Sequence, residues 1–255
     1  MNQKKFELKD VMVTAFNLYR DNFSLFFKIN GLGVLILFIT SHFMDLGDMT
    51  GNIGINLLIQ LIGLVVAYLG IYYNIKLGIT LIIAIKERYY CRSITIKESY
   101  KQAKNCTWRV IGAVLILGLM IIIPTYIFTI GFSATQQLFS KIVAILVGGI
   151  PTMYLVVTFG FSIMIRALNP EIKNFLMYSK QLVVNHFWEV FIIYLIPFII
   201  QSPMNVLKNF LPPINFGTVG TYLFSHLGQF IALFTGPFTL GVVVITYLKL
   251  HQASE

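Results

Sequence analysis

Six apolar runs, at residues 26–43, 53–85, 108–130, 139–168, 187–207 and 222–250, alternate with short segments that hold most of the charge. A hydrocarbon core takes about 20 residues of helix to cross. In that solvent every backbone N–H and C=O must be bonded within the protein, and a helix is the local way to do so. The runs therefore predict an all-α polytopic membrane protein with six transmembrane helices, forming a single membrane domain over residues 1–255. Composition agrees: with 57% hydrophobic and 11% charged residues, too little polar surface remains to cover a water-soluble domain of this size. The second run is longer than a bilayer requires, so it must tilt, project beyond the membrane or pass through protein instead of lipid. Residues 1–20 carry Lys4, Lys5, Glu7, Lys9, Asp10 and Arg20 without a continuous apolar core, so no cleavable signal peptide is expected there.

A segment of mixed polarity stands before three of the runs. It aligns on Leu8-Lys9, Ile96-Lys97 and Ile172-Lys173, the second interval being somewhat shorter than the first. An aromatic residue closes each copy, at Phe23, Trp108 and Phe187. The offset from lysine to aromatic is the same in the first and third copies, and the middle copy is shorter by about one helical turn. In the first copy Leu8, Val11, Met12, Ala15, Phe16 and Tyr19 fall on one helical face; Ile172, Phe175, Leu176, Ser179, Leu182 and Val183 do so in the third. The third copy predicts a short amphipathic helix on the membrane surface, a turn at Asn185-His186, and an aromatic collar at Phe187-Trp188 from which the next span enters lipid. Three such amphipathic helices are expected. With them come three copies, approximately residues 6–90, 94–168 and 171–250, related by a pseudo-threefold axis along the membrane normal. Identity between the copies is low, and surface helices also precede spans in polytopic proteins without repeats.

Charge placement predicts orientation. Lys4, Lys5, Lys9, Lys86, Arg88, Arg92, Arg109, Arg166 and Lys173 are among the many basic residues at one set of run ends. Only Lys141 and Lys208 lie at the other, where Asp45 and Asp48 also sit. The positive-inside rule then puts both termini and all three amphipathic helices on the cytoplasmic side. The formal net charge of +9 meets anionic headgroups there, so membrane lipids are expected partners and nucleic acid is not.

The pattern Tyr178-Ser179-Lys180-Gln181-Leu182-Val183 followed by Phe187-Trp188-Glu189-Val190, with an earlier copy at Phe16-Asn17-Leu18-Tyr19-Arg20-Asp21-Asn22-Phe23, resembles the membrane domain of bacterial glycerophosphodiester phosphodiesterases and related stand-alone integral membrane proteins. The resemblance covers nearly the whole chain and implies the bacterial cytoplasmic membrane. In the fused enzymes a soluble catalytic barrel follows the last span; here only the short stretch from His251 to Glu255 follows the last run. The resemblance therefore implies a membrane module without the catalytic half, and it carries over no catalytic residue.

The residues themselves offer little chemistry. No Gly-Lys-Ser or Gly-Lys-Thr phosphate loop is present, His42, His186, His226 and His251 are scattered, and no His-Glu-x-x-His zinc helix occurs. Cys91 and Cys106 have no nearby His or further Cys to complete a metal site and read as free thiols. Asp45 and Asp48 read as solvated turn residues in a Gly-rich loop. No catalytic set, metal or cofactor is expected. The polar residues inside the runs are the site candidates: Gln60, Asn74, Lys76, His226 and Gln229. They could line a cavity for an amphiphile or a peptide. Equally, the amides and histidine could bind helices together while Lys76 extends to the inner membrane surface. Pro124, Pro151, Pro197 and Pro237 place a helix breaker in each of the last four runs, as kinks at a transport site or as ordinary span prolines.

The expected function is a non-enzymatic integral membrane protein, a scaffold or transport-related module for lipids or other amphiphiles. Two alternatives stand beside it. One is the membrane subunit of a peptide exporter or immunity system working with a separate ATPase; the other is an accessory subunit of a lipid-modifying enzyme, with a soluble enzyme as partner.

Overall fold

The computed structural model describes residues 7–45, 53–133, 138–210 and 217–254, and among these every element is a helix. In chain order they are α1 (Leu8–Asp21), α2 (Phe23–Asp45), α3 (Ile53–Tyr89), α4 (Ile96–Ser133), α5 (Leu138–Ala144), a π-helical turn (Ile145–Gly149), α6 (Ile150–Phe159), α7 (Ser162–Leu168), α8 (Phe175–Val184), α9 (Phe187–Phe210) and α10 (Gly217–Ser254). Among the described residues five stretches are long and apolar enough to cross a membrane: Phe23–Thr40, Ile59–Tyr89, Ile96–Ile130, Lys141–Leu168 and Ile231–Ser254. The run expected as a further span at residues 187–207 falls on α9, where the apolar stretch Phe187–Pro197 is shorter than these. The loop of Asp48 lies outside the described residues.

The segments before the spans differ from one another. Between α1 and α2 the chain turns at Asn22, whose backbone N–H and side-chain amide both donate to the Leu18 carbonyl, at 3.1 and 3.0 Å. Between α8 and α9 it turns at Asn185 and His186, where the sequence predicts the turn. The middle copy has no break: α4 runs through Trp108 as one helix of 38 residues. Nothing from Lys104 to Arg109 interrupts its helical backbone, and the expected separate helix is the first part of α4. The third copy also starts late. Pro170 follows closely on α7, the Ile172 N–H donates to the Asn169 carbonyl at 3.2 Å, and α8 begins only at Phe175.

The chain forms two compact units. The first comprises Lys9–Asn105 and Leu195–Ile245. Within it Val11, Ala15 and Tyr19, spaced four apart, make the inner face of α1. Val11 and Ala15 are buried, and the Tyr19 hydroxyl donates to the Phe234 carbonyl at 2.8 Å. Phe16, placed by the sequence on that same face, points outward instead with 54% exposure. Asn30 on α2 donates to the Ala232 and Leu233 carbonyls of α10, at 3.1 and 2.9 Å. α2 and α3 approach closely at Gly70, where a Cβ would strike the Thr40 side chain. Small residues at such crossings let helices pack when lipid supplies no hydrophobic driving force.

α3 resolves the question of the over-long run. Its 37 residues extend about 55 Å. The first half presents Leu61, Leu64, Val65 and Tyr68 outward, while Leu77, Ile79 and the stretch from Leu81 to Ile85 are buried. The second half thus passes through protein. The helix closes in a Schellman arrangement, with the Arg92 N–H on the Glu87 carbonyl at 2.8 Å and the Cys91 N–H on the Arg88 carbonyl at 3.0 Å. Cys91 takes the left-handed position with φ 58°. α4 then opens in a capping box: the Thr95 hydroxyl oxygen accepts from the Glu98 N–H at 3.3 Å, and the Glu98 carboxylate accepts from the Thr95 N–H at 2.8 Å.

The second unit comprises Met1–Leu8, Cys106–Tyr194 and Thr246–Glu255. On α4, Cys106, Val110, Ala113 and Leu117 are buried, while Leu115, Leu119, Ile123 and Tyr126 are exposed. Apolar residues on both faces are what a helix needs between protein and lipid. Gly148, in the π turn, meets the part of α4 around Pro124: a Cβ there would stand 2.5 Å from the Phe128 nitrogen and 2.6 Å from the Pro124 oxygen. The Thr125 and Thr152 hydroxyls lie 3.4 Å apart beside this contact. Pro151 follows the π turn, which relieves the clash its ring would make in a regular helix. α8 turns Phe175, Ser179, Leu182 and Val183 inward, and the Ser179 hydroxyl donates to the Thr158 carbonyl at 2.8 Å.

Candidate functional site

Of the candidate polar residues, Gln60, Asn74 and Lys76 have described side chains, and all three are on α3. Gln60 is exposed on α3, and about 21 Å of helix separates it from Asn74. The Asn74 amide donates to the Gly33 carbonyl at 3.1 Å, joining α3 to α2. Lys76 is 6% exposed, with Nζ 3.7 Å from the centre of the Tyr100 ring. The ring thus covers the ammonium of a buried side chain. His226 and Gln229 are on α10, with side chains outside the described ones.

An open site lies elsewhere, in the second unit. A cleft of about 630 Å³ runs between α4 and the connection from α7 to α8. One wall is a single face of α4, with Trp108 and Arg109 above Gly112, Ala113 and Ile116. The other holds Arg166 at the end of α7, Pro170 and Glu171 in the turn, and Phe175 at the start of α8. The floor is open at Gly112, where a Cβ would meet nothing within 4 Å.

Both arginines border uncharged runs. After Arg109 the chain carries no charge through Ser133, the end of α4, and none lies between Lys141 and Arg166. Each arginine is therefore the charge nearest an uncharged run of membrane length, and the cleft brings the two together. The Arg166 guanidinium lies 4.2 Å above the Phe175 ring centre. A guanidinium over a ring face is attracted by its π electrons and still has N–H groups that can donate. Among the described residues neither arginine is in an ion pair.

The far wall is held by a polar network at the end of α10. Asn169, which caps α7, accepts from the Tyr247 hydroxyl at 2.8 Å, and its amide lies 3.2 Å from both Glu171 Oε1 and His251 Nε2. His251 Nδ1 lies 2.6 Å from the Tyr178 hydroxyl, which is 3.1 Å from Ser254 Oγ. One direction of donation serves every group: Asn169 N–H to Nε2, Nδ1–H to Tyr178, Tyr178 to Ser254, and Ser254 to the His251 carbonyl at 2.7 Å. The Tyr247 ring stacks on the imidazole, centres 5.6 Å apart. Through Asn169 this network positions Glu171 in the cleft wall.

Chemically, the cleft offers two guanidinium donors, one carboxylate and an indole over an apolar floor that continues along α4 to the exposed Leu119 and Ile123. Such an arrangement suits a polar head with an apolar tail. The sequence shows both arginines on the same side of the runs; that α4 and α7 are neighbours is a tertiary fact with no local signature. No family model matches the chain, and comparison with curated proteins and with solved structures found no match.

Proposed function

We propose that this protein is a non-enzymatic, multi-pass module of the bacterial cytoplasmic membrane that holds lipids or other amphiphiles at the cleft between α4 and the α7–α8 connection. The observation that carries the reading is the open floor at Gly112, set beside a Trp and two arginines that border uncharged runs of membrane length. A head group meets charge there while its chain lies along the outward face of α4. The basic run ends support cytoplasmic termini. The turns at Asn22 and Asn185-His186, each just before an aromatic, support surface helices at α1 and α8, with α9 as a sixth span and a repeat of about residues 6–90, 94–168 and 171–250. The resemblance to membrane domains of glycerophosphodiester phosphodiesterases favours the same setting.

The test is lipid retention. The protein purified in mild detergent should carry phospholipid detectable by native mass spectrometry. Gly112→Leu fills the floor, where a Cβ meets no neighbour, so it should lose that lipid with the melting temperature unchanged or raised. Equal retention by the two proteins would rule out the cleft as the holding site.

A further inference from the structure

Resting on that reading, we infer that the cleft selects a phospholipid whose head group is a monoanionic phosphodiester, its phosphate held between Arg109 and Arg166. The lining carries two positive side chains and one negative, a surplus of one positive charge, and a single phosphodiester charge balances it. Guanidinium groups suit phosphate because their N–H forks match two of its oxygens at once. Arg166 is already oriented by the Phe175 ring, so less freedom is lost on binding. Glu171 keeps a second oxygen beyond the one bonded to Asn169, and that oxygen accepts from a head-group hydroxyl. A zwitterionic head group, neutral overall, leaves the surplus positive charge unbalanced.

The height of the site decides its source of phosphate. Both arginines flank uncharged runs of membrane length, which puts them at the level where membrane head groups lie. Trp108, 65% exposed beside Arg109, is a residue type enriched at that level. Ile116, Leu119 and Ile123 continue outward along α4 below it, offering apolar surface that a free phosphate would leave unused.

The experiment measures thermal stability and affinity of the full chain in detergent with short-chain phosphatidylglycerol, short-chain phosphatidylcholine and inorganic phosphate. Phosphatidylglycerol should stabilise the protein, and the other two should have little effect. Arg109→Gln or Arg166→Gln should weaken the phosphatidylglycerol affinity about tenfold or more, while Lys180→Gln, the same charge loss on an exposed part of α8, should not. Loss by Lys180→Gln as well would reduce the effect to general charge attraction and overturn the assignment. Equal stabilisation by phosphatidylcholine would overturn the selectivity, and equal stabilisation by inorganic phosphate would overturn the lipid source. If the arginine variants lose selectivity yet retain total lipid, and Gly112→Leu loses it, both the holding site and the head-group assignment stand. If Gly112→Leu loses lipid but the arginine variants keep full selectivity, the holding site stands and the head-group assignment fails.

Discussion

The Tyr178 hydroxyl lies 2.6 Å from Nδ1 of His251, which joins α8 to the last turn of α10. Tyr178→Phe keeps the ring and removes only this bond and the one to Ser254, so it should cost about 1 kcal/mol of stability. Asn169→Ala removes three partners at once and should cost about 2–3 kcal/mol. Unfolding in detergent followed by circular dichroism checks the order. An effect of Tyr178→Phe as large as that of Asn169→Ala would mean that the network is not centred on the amide.

Gly148 and Gly112 make a matched pair in one unit. A Cβ at Gly148 meets backbone atoms at 2.5–2.7 Å, whereas one at Gly112 meets nothing within 4 Å. Gly148→Ala should therefore destabilise by about 1–3 kcal/mol, through overpacking that backbone cannot relieve. Gly112→Ala should stabilise by about 0.5–1 kcal/mol, because it gains helix propensity without a clash. Melting temperatures moving in the same direction would contradict the packing described for α4 and the π turn.

Lys76 and Tyr100 should be energetically coupled. Tyr100→Leu uncovers a buried ammonium and should cost about 1–2 kcal/mol when Lys76 is present. In a Lys76→Met background the same change should cost little, since the charge that the ring covers is gone. A double-mutant cycle with a coupling energy near zero would show that the ring merely fills space.

Cys91→Gly should raise stability by about 1 kcal/mol, because Cys91 holds a left-handed backbone that a Cβ disfavours and glycine does not. Cys91→Ala, which keeps the Cβ, should not. A gain with both would point to the thiol instead of the backbone.

Cys91 is exposed and Cys106 buried, which gives a native probe of the proposed orientation. In intact cells an impermeant maleimide should leave Cys91 unlabelled, and after permeabilisation Cys91 should label well ahead of Cys106. Labelling of Cys91 from outside sealed cells would reverse the orientation.

What the sequence made legible was set by solvent and by local punctuation. Apolar runs of membrane length mark helices because lipid permits little else, and the turn at Asn185-His186 stands where the sequence puts it. Other features depended on which helices become neighbours. The sequence offers Lys76 two fates, a snorkelling side chain or a wet cavity, but does not show the ring of Tyr100 that lies against its ammonium. Phe16 obeys the periodicity of the inner face of α1 and still points outward, because Val11, Ala15 and Tyr19 suffice to meet the protein. Arg109 and Arg166 are visible as basic residues at run ends. Their shared cleft is not, because it depends on α4 and the α7–α8 connection being neighbours.

The π turn at Ile145–Gly149 also affects how related chains should be aligned. A π turn holds about one residue more per turn than an α turn. Leu138–Ala144 is therefore rotated by about 100° relative to its position on an unbroken helix ending in α6. A relative lacking one residue between 145 and 149 would keep its span and its Pro151 equivalent, but would present a different face of α5 to its neighbours. Single-residue gaps in this stretch therefore mark rotation of the segment before it, and substitutions in α5 should be compared only among chains with the same residue count there.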